Sequence, residues 1–330
     1  MDEAADNPLG LTVITTRGPR LAKTYDAATG EWTAYDKART VNLREVVMDG
    51  LPKLAALLQR LSGQPRRAIV RGAIADPARV EGVRRLLHPD TRTGEAATLR
   101  DACRAWVALD LDGLPAPAGL DPSDLEACGV AARAALPRAF HGAACVVNAT
   151  AGHGVKPGLR LRLWFLLDRP LTGAEAKRWL AGRGGLDVST LNPAQVIYTA
   201  APVFQGMRDP LPCRVALLGG HERVQPPPPE ALLAPRPRPE PRLLPKGRVG
   251  DALAEMQRRE AARRIITAPE GRRHAAAVGA AAGLAGLVRH GRLTEAEATR
   301  DIEEALSRAT GRQGEGARIM SWALRSGAGA

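Results

Sequence analysis

In the segment RAWVALDLDG, Arg104 to Gly113, two carboxylates close an apolar run in which a buried strand has no use for charge. Alternation along a strand sends Asp110 and Asp112 to the same side, about 7 Å apart. A bare buried carboxylate is costly, and two on one face repel each other unless something positive sits between them. A divalent magnesium or manganese ion meets both demands, because it takes hard oxygen ligands and leaves other positions to water and substrate phosphates. The plainer alternative is a strand end running into a solvated turn made by Gly113 and Pro115.

A second segment, GHGVKPGLRLRLWFLLD, places Arg160, Arg162 and Trp164 on one strand face and Leu161, Leu163 and Phe165 on the other. The alternation predicts a core face and a strongly positive face. Arginine offers a planar fork of donors and stays charged, so two of them two residues apart make a fixed cradle for a triphosphate or a nucleic-acid backbone. His153, Lys156 and the glycines beside them can form a loop that completes it. Solvated arginines on an exposed sheet face are the alternative. The third acid, Asp187, follows a double glycine in GGLDVSTLNPAQVIYTAAPVF. Three aspartates on neighbouring strands can share two metals about 4 Å apart, which clamp the attacking and leaving oxygens of an in-line displacement at phosphorus. The chemistry to expect is phosphoryl transfer.

Several elements must hold these groups. LTVITT, RAIVRG, AACVVNAT, LRLRLWFLL and AQVIYTAAPVF read as strands. Asn42 to Leu61 reads as a helix, with Leu43, Val47, Leu51, Leu54 and Leu58 on one face. Asp121-Pro122 starts another, and Thr172 to Glu175 is a capping box opening the helix that carries Trp179. This mixture, not cleanly alternating, predicts an α+β or α/β domain over 1–220, and α+β is the expected class. Residues 221–250 then hold QPPPPEALLAPRPRPEPRLLPKGR, a proline-rich basic stretch that suits a semi-rigid linker. Over 251–330 four amphipathic segments, the third opened by a Thr294–Glu297 capping box, predict a small all-α helical domain.

The 330-residue chain carries a formal charge of +12 and a pI near 10.4, which points to a polyanionic partner, most simply nucleic acid. An arginine-rich composition is also what a GC-rich coding sequence produces. Aromatic residues are only 3% of the chain, which excludes a surface of many base-stacking rings and leaves phosphate contact dominant. The four cysteines show no CxxC pair, so they read as free thiols. No apolar run approaches the roughly 20 residues of a bilayer span, and the first residues lack the pattern of a signal peptide. A cytoplasmic location without membrane association is expected.

WVALDLDG, TAGHGVKPGLRLRLWFLLDRPL and GLDVSTLNPAQVIYTAAPVF resemble, in order and spacing, the three motifs of the archaeo-eukaryotic primase superfamily, in particular the primase-polymerases of phages, plasmids and integrated mobile elements. The helical tail is similar to the domain that follows the catalytic domain in such proteins. The resemblance implies a modified RNA-recognition-motif-like catalytic sheet. It also implies nucleotidyl transfer with Mg²⁺ or Mn²⁺ from nucleoside triphosphates on a single-stranded DNA template, with a replicative helicase as a further partner. By position, Asp110 and Asp112 match the first motif and Asp187 the third. The second motif of the family carries a Ser and a His, where this chain has Arg160 and Arg162. Either Arg162 or His153 then contacts the incoming nucleotide, and the face occupied by Arg162 favours Arg162.

These roles give a mechanism in which Asp110, Asp112 and Asp187 hold the metals while Arg160, Arg162 and Lys156 hold the phosphates. Arg258, Arg259, Arg263, Arg264, Arg272 and Arg273 of the tail are the expected DNA contacts. Two other readings fit parts of the pattern. LDLDG also resembles the nucleophile motif of haloacid-dehalogenase-type phosphatases. A non-enzymatic DNA-binding replication initiator would need only the basic charge.

Overall fold

The structure is a computed structural model that describes residues 7–182, 186–233, 248–270, 272–311 and 314–326. The chain divides between Ala234 and Pro235 into two compact units. The first is α+β, and the described residues of the second form helices.

The first unit opens with β1 (Gly10–Thr15), β2 (Thr24–Asp26), β3 (Glu31–Thr33), β4 (Asn42–Val47), α1 (Leu51–Ser62) and β5 (Arg67–Val70). Strands β4, β1 and β5 form an antiparallel sheet. The helix expected over 42–61 is thus a strand followed by a shorter helix. Gly50 at φ 90° and Pro52 stop helical propagation between them. Val47, assigned by helical spacing to the core, is 54% exposed. In α1 itself Leu51, Leu54, Leu58 and Leu61 are buried along one face.

A short β6 (Ala73–Ile74) pairs with β7 (Leu99–Arg100), and then comes the central module. It runs β8 (Arg104–Leu114), α2 (Leu125–Ala134), β9 (Cys145–Ala149), β10 (Leu159–Leu171), α3 (Gly173–Leu180) and β11 (Leu186–Asp187), with β12 (Val203–Gln205) and β13 (Val215–Leu218) after it. The strand order is β11-β8-β10-β9-β13, antiparallel throughout. The helix expected from Asp121-Pro122 starts at Leu125 because Asp124 is its cap, accepting from Ala127 N at 2.9 Å. Asp121 instead closes a turn onto Ser123 N. The Thr172–Glu175 capping box is present as expected. The long strand anticipated in AQVIYTAAPVF is broken: Ile197 makes an isolated bridge to Ile69, and only Val203–Gln205 is strand, paired in parallel with β2. Pro202, which has no N–H to give a ladder, lies between them.

Helices α2 and α3 cover one face of the central sheet around Leu109, Leu161, Leu163 and Phe165. The other face packs Trp106 and Trp164 against α1 and β1, their rings 5.5 Å apart. This corrects the expectation of a wholly positive second face. Trp164, at 0% exposure, belongs to a second core, and the face turns polar only at its Asp110–Arg162 end.

The expected 221–250 linker is shorter than its composition implies. Val224 bridges Leu167, donating to Leu166 O, and Asp168 N donates back to Val224 O. Arg169 donates to Pro227 O, Arg178 donates to Leu232 O, and Leu232 is 3% exposed. At the other end Arg248 already begins a helix, and 234–247 lie outside the described residues.

The second unit contains α4 (Arg248–Ile266), α5 (Arg273–Arg289), α6 (Glu295–Thr310) and α7 (Gly316–Ser326) around a core of alanines, Leu284, Ile302, Leu306, Ile319 and Met320. The Thr294–Glu297 capping box is formed. Among the described residues no helix is long and apolar enough to cross a membrane.

Candidate active site

Strands β8 and β10 bring the acid pair and the arginine pair face to face. In their antiparallel register Arg162 stands opposite Asp110 and Arg160 opposite Asp112. Arg162 Nε donates to Asp110 Oδ1 at 2.5 Å and Nη2 to Oδ2 at 2.7 Å, a bidentate pair, while Nη1 donates to Tyr198 O at 2.6 Å. Both partners are largely buried, with side chains 7% and 18% exposed, so solvent screens this pair weakly. Arg160 also pairs with Asp112, but the Asp112 side chain is 75% exposed and that pair is correspondingly weaker. The positive charge demanded by two carboxylates on one strand face is therefore supplied by the neighbouring strand.

Asp187 joins them through β11, where it is the direct cross-strand partner of Asp110. Opposed residues in such a ladder lie roughly 4.5–5.5 Å apart at Cα. Its carboxylate accepts from Ser189 N and from Ser189 Oγ, opening a 3₁₀ turn that Thr190 Oγ1 fastens to Ala108 O. The double glycine before it lies outside the described residues.

All three aspartates line one cleft of about 260 Å³, together with Arg160, Arg162 and Lys156. Among the described residues, however, no three His, Cys, Asp or Glu side chains are gathered closely enough to hold a metal ion. The donor set is still of the kind that magnesium or manganese takes: each ionised carboxylate has about four lone-pair sites, more than its present partners use.

The loop joining β9 to β10 is compact. Thr150 donates to Arg160 O through both N and Oγ1, and Lys156 N closes onto Gly152 O. Gly158, at φ 77°, lies so near Leu114 O that a Cβ would stand 2.8 Å from it. His153 has a structural place in this loop. It is 0% exposed, its Nε2 lies 3.0 Å from Pro122 O, and its Nδ1 accepts from Arg160 N at 3.3 Å. A carbonyl can only accept and an amide N–H only donate, so the ring is the neutral Nε2–H tautomer. Burial pushes its pKa below the ordinary histidine value. The expectation that His153 touches a nucleotide is thereby corrected: it does not line the cleft, and it fixes the start of β10.

Among the cleft residues not expected from sequence are one cation and three rings: Lys23, Trp32, Tyr35 and Tyr198. Tyr35 and Tyr198 stack with ring centroids 3.5 Å apart and planes at 5°. Burial pushes the Tyr35 hydroxyl up to about 12, which keeps it protonated. Lys23 Nζ stands 5.2 Å from the Tyr35 ring centre and Lys156 Nζ 5.6 Å from that of Trp32. The signal available in the sequence was the density of rings in KTYDAATGEWTAYD, set in a chain otherwise poor in them.

In the helical unit, four of the six expected DNA-contacting arginines are paired with acids of their own unit. Arg258 grips Asp301 through two hydrogen bonds between α4 and α6. Arg259 pairs with Glu255, and Arg263 and Arg264 share Glu260, whose pKa they push down to about 2. Arg273 donates to Ala268 O, and Arg272 is exposed. No family model matches the sequence, and no curated protein or solved structure matches it.

Proposed function

We propose that the protein is a nucleotidyl transferase of the primase-polymerase type, making primers on single-stranded DNA from nucleoside triphosphates. The observation that carries this reading is that Asp187 falls directly across from Asp110, in one cleft with Asp112, Arg160 and Lys156. Three segments far apart in the chain thus supply one set of acids beside one set of cations. The order β8-α2-β9-β10-α3-β11, with spatial sequence β11-β8-β10-β9, is the split βαβ arrangement expected of an RNA-recognition-motif-like sheet and supports the same reading.

In this function Asp110, Asp112 and Asp187 would hold Mg²⁺ or Mn²⁺, and the metal would supply activation of a 3′-hydroxyl and charge neutralisation at the pyrophosphate leaving group. Arg160 and Lys156, the more accessible cations, hold the phosphates. Arg162 holds Asp110 in place through two hydrogen bonds. No side chain acts as nucleophile. That separates this reading from the haloacid-dehalogenase one, in which the first aspartate of LDLDG attacks phosphorus.

The arginine pairing of Asp110 and Asp112 is equally what a non-enzymatic DNA-binding initiator would have. Incubation of the full-length chain with labelled nucleotides, a single-stranded template and Mg²⁺ or Mn²⁺ separates the two. Template-dependent product, lost in Asp112→Asn, supports the transferase. Template binding with no incorporation under either metal supports the initiator.

A further inference from the structure

The chain has five tryptophans, three tyrosines and three phenylalanines, and all three tyrosines gather with Trp32 and Phe204 beside the cleft. Phe204 on β12, Tyr25 on β2 and Trp32 on β3 are direct cross-strand partners, so they form one aromatic row. Ring centroids lie 4.9 Å apart from Tyr25 to Trp32 and 5.9 Å apart from Tyr25 to Phe204. The row ends at Trp32, which lines the cleft and is only partly buried. Such a row holds its last ring rigidly, at little further entropic cost on binding.

From Trp32 inward the chemistry changes in steps. Lys156 Nζ stands over the Trp32 ring. The Lys156 and Arg160 side chains then flank Gly152 so closely that a Cβ there would lie 3.3 Å from one and 3.0 Å from the other. Arg160 pairs with Asp112. The sequence is therefore ring, ammonium, guanidinium, carboxylate, the order that a nucleoside triphosphate needs for base, phosphates and phosphate-bound cation. Resting on the transferase reading above, we infer that Trp32 is the base platform of the cleft. The nucleobase of a bound nucleoside triphosphate stacks on its indole while Lys156 moves from the ring to the phosphates. Stacking reads the π-face common to every base, so the platform is indifferent to base identity.

The test compares two probes, ATP and inorganic tripolyphosphate, each with Mg²⁺, binding to the full-length chain by calorimetry. Trp32→Leu keeps apolar bulk but removes the ring face, and it should weaken ATP binding by roughly five- to a hundredfold, the range of one base–aromatic stack. Tripolyphosphate affinity should not change. Trp32→Phe, which restores a ring, should recover most of the loss, and GTP, CTP and UTP should follow ATP. Equal loss for ATP and tripolyphosphate, or no loss for either, overturns the platform while leaving the transferase reading standing. Wild-type protein that binds neither probe overturns both. If Trp32→Leu fails to fold, the comparison of Trp32→Phe with Trp32→Met, which fills the space without a ring, decides by the same ratio of the two affinities.

Discussion

Arg162 holds Asp110 through two parallel hydrogen bonds and spends its remaining terminal nitrogen on Tyr198 O. Asp110 therefore has a structural duty that Asp112, 75% exposed and paired only at the cleft rim, lacks. Asp112→Asn should change stability by no more than about 0.5 kcal/mol, the usual range for an exposed site. Asp110→Asn leaves the Arg162 charge uncompensated and should cost about 2 kcal/mol, the scale of a hydrogen bond to a charged group. Both should abolish nucleotide incorporation. Urea unfolding of the two variants beside the incorporation assay is the check, and equal stabilities would show that Asp110 and Arg162 are not coupled.

The two arginines should also separate. The partner of Arg160, Asp112, is 75% exposed and is left solvated when Arg160 is removed, so Arg160→Ala should weaken tripolyphosphate binding by about tenfold, the scale of one charge-assisted contact, with little change in unfolding midpoint. Arg162→Ala should instead strand Asp110 and lower stability by about 2 kcal/mol before any binding is measured. Calorimetry and denaturant titration of both variants test the division. A stable Arg162→Ala variant with selectively lost triphosphate affinity would return Arg162 to the phosphate-contacting role that its position in the sequence suggested.

Much of this arrangement could be read from residue order alone, because strand alternation is a local property. It put Asp110 with Asp112 and Arg160 with Arg162 correctly. It could not say that β8 and β10 are neighbours in a register that sets each arginine against an aspartate, since register is a long-range pairing. Trp164 shared the alternation of the arginines yet lies under α1, because burial along one face depends on what packs there. The 42–61 segment misled because its leucines and valines satisfy helical spacing on both sides of Gly50, while that glycine's φ of 90° forbids a continuous helix. The aromatic row was invisible for the same reason as the register: Phe204 meets Tyr25 only through a parallel pairing distant in sequence.

His153 yields a pH prediction. Burial lowers its folded pKa, so the unfolded chain binds the proton more readily, and stability is lost as pH falls. The contribution is complete above the unfolded value near 6.5, declines as pH drops from there to the lowered folded value, and is level below it. Gln at this position can accept from Arg160 N and donate to Pro122 O without titrating. The thermal midpoint of the wild type should therefore fall more between pH 7 and pH 5 than that of His153→Gln. Parallel curves for the two proteins would mean that His153 is protonated alike in both states.

The boundary between the units sets where the chain can be cut. The proline-rich composition begins at Gln225, but Val224 is hydrogen-bonded to the edge of β10 and Leu232 is buried, with Arg169 and Arg178 donating to carbonyls of the same stretch. A truncation after Gly220 removes all of these contacts and exposes the end of β10, so it should unfold at lower temperature than one ending at Leu233. The longer fragment keeps every described contact of the first unit, including the whole cleft. Elongation requires only that cleft, a template and a paired 3′ end, whereas initiation must also immobilise a template and a first nucleotide that nothing else anchors. A tethered second unit can supply that by raising local concentration. The fragment ending at Leu233 should therefore extend an annealed primer at near full-length rates and lose synthesis without a primer. Both activities are measured on one template for the full-length chain and the fragment. Equal retention of the two would assign the helical unit to another task, such as docking a helicase.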